Sequence, residues 1–292
     1  MPHIDIFVAR HEKKDGDLEK KFKEELKAKG EVWMPGGTLD REQMCLSADG
    51  LKDAKALGQT LFGGKGYDAV SVCTSNFLRT KQTANAILEG AGFDVEKDLY
   101  GNSRRARFRT EDRLGLGGTN WEAPNIPDFK KDLNGYVSGV LDKYFLERAD
   151  QPAGNPNIWP VMARRSAALH DVLADGVEEM ATRLKPQQRG LVMVITHCPT
   201  IDALAGVYTN ALNWRATGTS QNGAQVYDVK LAQPVEAHDM GQYMIGSTLG
   251  EDRPQWTSVP LTIKGKEYSM PVLQLQERAR ELRRISLTAV QK

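Results

Sequence analysis

Short apolar runs rich in β-branched residues alternate along the chain with stretches whose apolar positions recur at helical spacing. The runs are Ile4-Asp5-Ile6-Phe7-Val8-Ala9, Tyr67-Asp68-Ala69-Val70-Ser71-Val72-Cys73 and Leu191-Val192-Met193-Val194-Ile195-Thr196. A fourth, Ala224-Gln225-Val226-Tyr227-Asp228-Val229, is entered through the turn pair Asn222-Gly223. Such runs read as strands of a largely parallel sheet buried on both faces. Between them, Leu51, Ala54, Leu57 and Leu61 mark a helix opened by Ser47 as N-cap and closed at Gly63-Gly64. Leu78, Ala84, Ile87 and Leu88 mark a second, stopping near Gly90. Val161, Leu169, Val172, Leu173, Met180 and Leu184 mark a long third. Ile201, Leu204, Tyr208 and Leu212 mark a fourth, with Pro199 in its first turn. The alternation predicts an α/β fold with helices on both faces of a mostly parallel sheet.

Three segments break that rhythm: 13–45, charged and then rich in Gly and Pro; 115–157, with a Gly-Leu-Gly-Gly turn and a Gly/Asn/Pro cluster; and 235–271, with a hairpin expected around Lys264-Gly265-Lys266. They read as insertions in one domain spanning 1–292, and as loops that overhang a site on such a scaffold. Leu273 to Arg284 reads as a basic terminal helix docked on the body.

Charge is balanced, with 39 Lys+Arg against 38 Asp+Glu, so no field suited to nucleic acid or an anionic membrane is built in. Three scattered cysteines, Cys45, Cys73 and Cys198, make neither a disulfide framework nor a metal motif and fit a reducing compartment. The amino terminus carries charge too early for a secretory signal, and no apolar stretch approaches a membrane span. A cytoplasmic protein is the expectation. No His/Asp spacing suits a metal, so metal-dependent hydrolysis ranks last among the chemistries considered.

The chemistry gathers at strand ends. Histidine is scarce, five in 292 residues, yet His11 follows the first run and His197 follows the run ending at Thr196. In parallel sheets ligands bind beyond the carboxyl ends of the strands, so the two imidazoles are expected over one pocket. Ser75 follows another strand, and Arg79 lies one turn into the helix that begins there. A helix start favours an anion, and a guanidinium matches two phosphate oxygens at once. With Arg10 beside His11, these residues describe an oxyanion pocket. For Ser75, helix capping and substrate contact weigh equally. His3, His170 and His238 read as surface or core residues and Cys198 as a small buried residue. Trp121 and Trp159 read as packing, and Arg164 and Arg165 as a solvated helix face.

Arg10-His11, then Ser75 and Arg79 followed by Gln82-Thr83-Ala84, then Thr196-His197 after an apolar strand, together resemble the histidine phosphatase superfamily, which includes the phosphoglycerate mutases. The segment from Ile195 to Leu204 and the long insertions are most similar to the branch of ubiquitin-associated and SH3-containing protein phosphatases. The resemblance implies a phosphoglycerate mutase-like fold and a phosphomonoesterase in which His11 becomes phosphorylated. Arg10, Arg79 and His197 would hold the phosphoryl oxygens, with no metal and no cofactor. Substrates would be phosphorylated small molecules or phosphoproteins, and a homodimer is left open. Two departures accompany it. Glu12 stands where the family has glycine, and the expected position of the proton-donating glutamate falls on Leu116. Glu111 and Glu122 are the nearby substitutes, with Glu111 preferred, and a recruited acid would need a pKa raised by burial or by a neighbour such as Asp112 or Glu12. Two other readings stand beside the phosphatase: a phosphoglycerate or phosphosugar mutase using the same phosphohistidine, and a phosphate-binding scaffold module with degenerate chemistry.

Overall fold

The computed structural model describes residues 2–31, 33, 38–99, 105–114, 159–210, 212–219, 225–231, 243–248, 258–263 and 265–284. The predicted insertion at 115–157, with Leu116, Trp121 and Glu122, lies outside them, as do His238 and the turn pair Asn222-Gly223. The same holds for the side chains of Trp159, Arg164, Arg165 and Cys198.

Strands β1 (His3–Arg10), β2 (Ala69–Thr74), β3 (Ala106–Thr110) and β4 (Arg189–Thr196) run parallel in the order β3-β2-β4-β1. Two further strands, β5 (Leu212–Thr219) and β6 (Gln225–Leu231), form a separate antiparallel pair. The main sheet then continues antiparallel from β1 through β7 (Tyr243–Thr248), β8 (Ser258–Ile263) and β9 (Lys266–Pro271). The sheet is therefore mixed, with its parallel half carrying the predicted strand ends.

The continuous apolar runs follow from burial on both sides. Ile4, Ile6 and Val8 of β1 point with Val192 and Val194 of β4 into one core, and Phe7 and Ala9 point with Leu191, Met193 and Ile195 into the other. The second core is closed by α3 (Ala48–Phe62) and α4 (Leu78–Gly90), following α1 (Gly16–Ala28) and the short α2 (Thr38–Glu42). After the short α5 (Val95–Asp98), the first core is closed by α6 (Trp159–Arg183), α7 (Cys198–Tyr208) and α8 (Val272–Arg284). Ser47 caps α3 as expected, its hydroxyl accepting from the Gly50 N–H at 3.0 Å. Gly58 sits where a Cβ would run into the Ile87 carbonyl oxygen, and this close approach seats α3 against α4, the helix that carries Arg79. Asp5, the polar residue inside β1, is held by the Tyr67 hydroxyl at 2.6 Å and Arg189 Nε at 3.1 Å.

Several sequence expectations need correcting. Leu212 opens β5 instead of closing the fourth helix, which stops at Tyr208 and turns through Asn210 at φ 55°. The apolar spacing continued past the turn only because a strand begins there. Segment 13–45 contains α1, capped by Asp15 on the N–H groups of Asp17 and Leu18, and packs its own small core of Phe22, Trp33 and Met44. Within 235–271 lie β7 and the expected hairpin, now β8–β9. Strand β3 (Ala-Arg-Phe-Arg-Thr) carries too many charges to read as a buried run.

His170 is buried in α6, with Nδ1 donating to the Ser166 carbonyl at 2.7 Å, and burial pushes its pKa down to about 4. Unfolding restores a value near 6.5, so only the unfolded chain takes a proton between those limits. Stability is expected to be intact above pH 6.5 and to fall by up to about 3 kcal/mol as pH drops towards 4. Urea midpoints measured against pH should show that fall, with a shallower slope in His170→Leu. An unchanged slope would assign the acid sensitivity to other groups.

Candidate active site

The register of two parallel strands brings the histidines together. Arg10 of β1 pairs with Thr196 of β4, so the next residue on each chain, His11 and His197, leaves the sheet side by side. The His11 N–H donates to the Thr196 carbonyl at 3.1 Å, and the imidazole centroids lie 5.2 Å apart, edge to face. On the next strand, the Ser75 N–H donates to the Ile195 carbonyl at 3.1 Å, which sets Ser75 beside His197. Its hydroxyl lies 3.0 Å from His197 Nε2 and 3.0 Å from Thr80 Oγ1. Ser75 is therefore a buried partner of His197; the hydroxyl does not cap α4, whose N-cap is Phe77 with no side-chain bond.

Hydrogen bonding fixes the tautomer of His11. Nδ1 lies 2.7 Å from the Glu12 carbonyl oxygen, which can only accept, so Nδ1 carries the hydrogen. Nε2 receives the N–H of Arg79 Nε at 3.1 Å, and Arg79 can only donate, so Nε2 presents a lone pair. Burial, then the positive charge of Arg79, hold the His11 pKa well below the usual histidine range. The imidazole is thus held neutral and oriented, with its one ring lone pair at Nε2 and engaged by the Arg79 Nε–H.

Arg79 is buried and secured on three sides. Its guanidinium lies over the Phe77 ring at 4.5 Å. Nη1 donates to the Asp40 carbonyl at 2.9 Å and to Asp40 Oδ1 at 2.7 Å, and Nη2 to Asp40 Oδ2 at 3.3 Å. Phe77 also packs against His197 at 4.5 Å between ring centroids, so one ring spaces both side chains. Arg10 is exposed at the end of β1 and adds its positive charge to the field at His11.

Glu12 is buried. Its N–H donates to Thr83 Oγ1 at 3.0 Å. Burial and the charge of Asp53 on α3 raise its pKa, and the Lys13 N–H bonds its carboxyl. Glu111 stands at the carboxyl end of β3, its N–H bound to the Thr74 carbonyl at 2.8 Å. Its carboxylate is gripped by Arg113, Nε at 2.9 Å and Nη2 at 2.8 Å. That grip lowers its pKa, opposite to the shift expected of a recruited acid. The raised carboxyl of the two is Glu12.

Sequence reasoning missed Asp40, Phe77, Thr80 and Thr83. Thr83 lies inside the Gln82-Thr83-Ala84 motif and Phe77 between Ser75 and Arg79. Asp40 had no local signal, since it follows a Gly/Pro-rich stretch far from every strand end.

Comparison with known proteins gives a partial likeness. No curated protein matches the chain. Among solved structures, it is similar to a mycobacterial glucosyl-3-phosphoglycerate phosphatase, with 16% identity, 84% of this chain and 90% of the other covered, and a TM-score of 0.40. A phosphoglycerate mutase from Bacillus anthracis shares 17% identity over 85% of this chain and 93% of its own, with a TM-score of 0.38. A phosphoserine phosphatase from Entamoeba histolytica, in its H9A form with phosphoserine, shares 12% over 91% and 94%, again at 0.38. Residues 34–99, the stretch that carries Asp40, Ser75 and Arg79, match the family described as Histidine phosphatase superfamily (branch 1).

Proposed function

We propose that this chain is a histidine phosphatase that hydrolyses a phosphomonoester through a phosphohistidine on His11, in one domain. The observation that carries the reading is the state of His11: a buried neutral ring with Nδ1–H on the Glu12 carbonyl and its Nε2 lone pair beside a guanidinium. The Arg79 Nε–H passes from Nε2 to a phosphoryl oxygen, the freed Nε2 lone pair attacks phosphorus, the Nε2–P bond forms, and the bond to the leaving oxygen breaks with its electron pair. Water then attacks phosphorus, the Nε2–P bond breaks, and phosphate leaves with His11 restored. In this reading Arg79, Arg10 and His197 hold the phosphoryl oxygens and stabilise charge as it spreads over them. The Glu12 carbonyl, accepting from Nδ1, supports the positive charge that the ring gains on phosphorylation.

The substrate is a phosphorylated small molecule or a phosphoprotein, and a cytoplasmic setting rests on the scattered cysteines. Among the described residues Cys45 and Cys73 are free, and burial pushes the Cys73 thiol up to about 11. The test is phosphate release from 4-nitrophenyl phosphate without any bisphosphate primer. Intramolecular transfer with little free phosphate would instead make the protein a mutase, and oxyanion binding without turnover a scaffold.

Leaving-group protonation separates substrates. With Glu111 held as an anion by Arg113, alkyl phosphates are expected to turn over about 10²–10⁴ times more slowly than aryl phosphates, whose phenolate needs no acid. Glu111→Gln should leave that ratio within about tenfold of the native one, since the factor at stake for a true acid is at least about 10². A selective collapse on the alkyl substrate would instead make Glu111 the donor.

A further inference from the structure

The geometry points to Asp40 as the positioning residue that holds the Nε edge of Arg79 against His11. The inference rests on the phosphatase reading for its consequence in turnover, and on the structure alone for the contact.

Arginine has five N–H donors in a fixed planar fork. On Arg79, Nη1 gives both of its hydrogens to Asp40, one to the backbone carbonyl and one to Oδ1, and Nη2 gives one to Oδ2. Asp40 thereby occupies the Nη1–Nη2 edge. The remaining edge holds the Nε hydrogen, already on His11 Nε2, and the second Nη2 hydrogen, which points the same way. A phosphoryl group bonded to His11 Nε2 meets that edge and finds two parallel donors. Phe77 fixes the guanidinium plane from below, and rotation within the plane is set by the carboxylate. Both members of the pair are buried, with side chains 5% and 6% exposed, so no solvent competes for the far edge. Asp40 comes from α2, outside every strand end, and reaches Arg79 alone among the described residues that bond its side chain at the Nη atoms.

Without Asp40, the guanidinium is free to turn within its plane, and either Nη can replace Nε at the imidazole. A misplacement on this scale lowers the rate by up to about a hundredfold. A neighbour that only blocked phosphate would do the reverse, since its removal would free two donors.

The experiment compares Asp40→Asn, Asp40→Ala and Asp40→Glu with the native chain. It measures kcat and KM on 4-nitrophenyl phosphate, inhibition by inorganic phosphate, and the side-chain 15N resonance of His11 Nε2. Asp40→Ala should lower kcat by about ten- to a hundredfold and weaken phosphate inhibition, with Asp40→Asn between it and the native chain. The Nε2 resonance should move away from its hydrogen-bonded position in both, and Asp40→Glu should restore part of each change. Folded variants with an unmoved Nε2 resonance overturn the inference, as does tighter phosphate inhibition. If the native chain releases no phosphate, the phosphatase reading fails, while the resonance still decides whether Asp40 holds Arg79 on His11.

Discussion

His11→Ala is expected to abolish turnover, by roughly 10⁵–10⁶-fold for loss of a nucleophile that acts as a unit with its partners. The size follows from what the ring supplies. Its Nε2 is the atom at which the phosphoryl bond would form, and the nearby Ser75 and Thr80 hydroxyls are engaged with each other, Ser75 also with His197. Water entering the cavity would lack the fixed lone pair. Stability should fall far less, because the variant leaves one Arg79 N–H and the Glu12 carbonyl without a partner, a cost of about 1–3 kcal/mol for each such group unless water reaches it. The measurement is rapid-quench labelling with a 32P-phosphomonoester. The native chain should carry an acid-labile, base-stable adduct on His11, and the variant none. Label on another residue, or turnover in the variant above about a hundredth of native, would remove His11 from the nucleophile role.

The legible part of this molecule was the part that periodicity records. The runs ending at Ala9 and Thr196 are apolar on both faces because two separate cores, one against α3 and α4 and one against α6, α7 and α8, bury alternate residues. The same parallel register, Arg10 opposite Thr196, turned two strand ends into neighbouring histidines, and Ser75 and Arg79 joined them as expected. What escaped depended on tertiary context. Strand β3 is held by its pairing with β2 despite its arginines. The leading carboxylate preference, Glu111, was a choice by chain proximity, but its environment is set by Arg113 two residues on. Asp40 is distant in sequence from every site residue and is recognisable only by the guanidinium it meets. The antiparallel half of the sheet is built from segments read as an insertion, because short strands around Gly246 and Pro260 carry the two residues that most weaken a strand pattern.

Arg79→Leu should remove both activity and a large part of the stability, and the two losses can be separated. Loss of a preorganised cation at the transferring phosphoryl group costs about 10²–10³ in kcat. Loss of one member of a buried ion pair costs up to about 3–5 kcal/mol, because the other charge stays buried with the main part of its compensation gone. Here that charge is Asp40, 4% exposed. Replacing both partners by apolar residues of similar size is close to neutral for folding, so Arg79→Leu with Asp40→Leu should regain most of the lost stability. It should regain none of the activity, since the donors facing His11 are still absent. Arg79→Lys completes the set. Its ammonium is a point charge that cannot span the Asp40 carboxylate on one edge and His11 Nε2 on the other, so stability should recover further than turnover. Urea midpoints and kcat on 4-nitrophenyl phosphate decide the matter together. If the double variant recovers turnover, Arg79 is a structural ion-pair partner and the oxyanion pocket must be assigned elsewhere. If Arg79→Leu unfolds at the native midpoint, the pair contributes nothing to folding and Asp40 is not held buried by it.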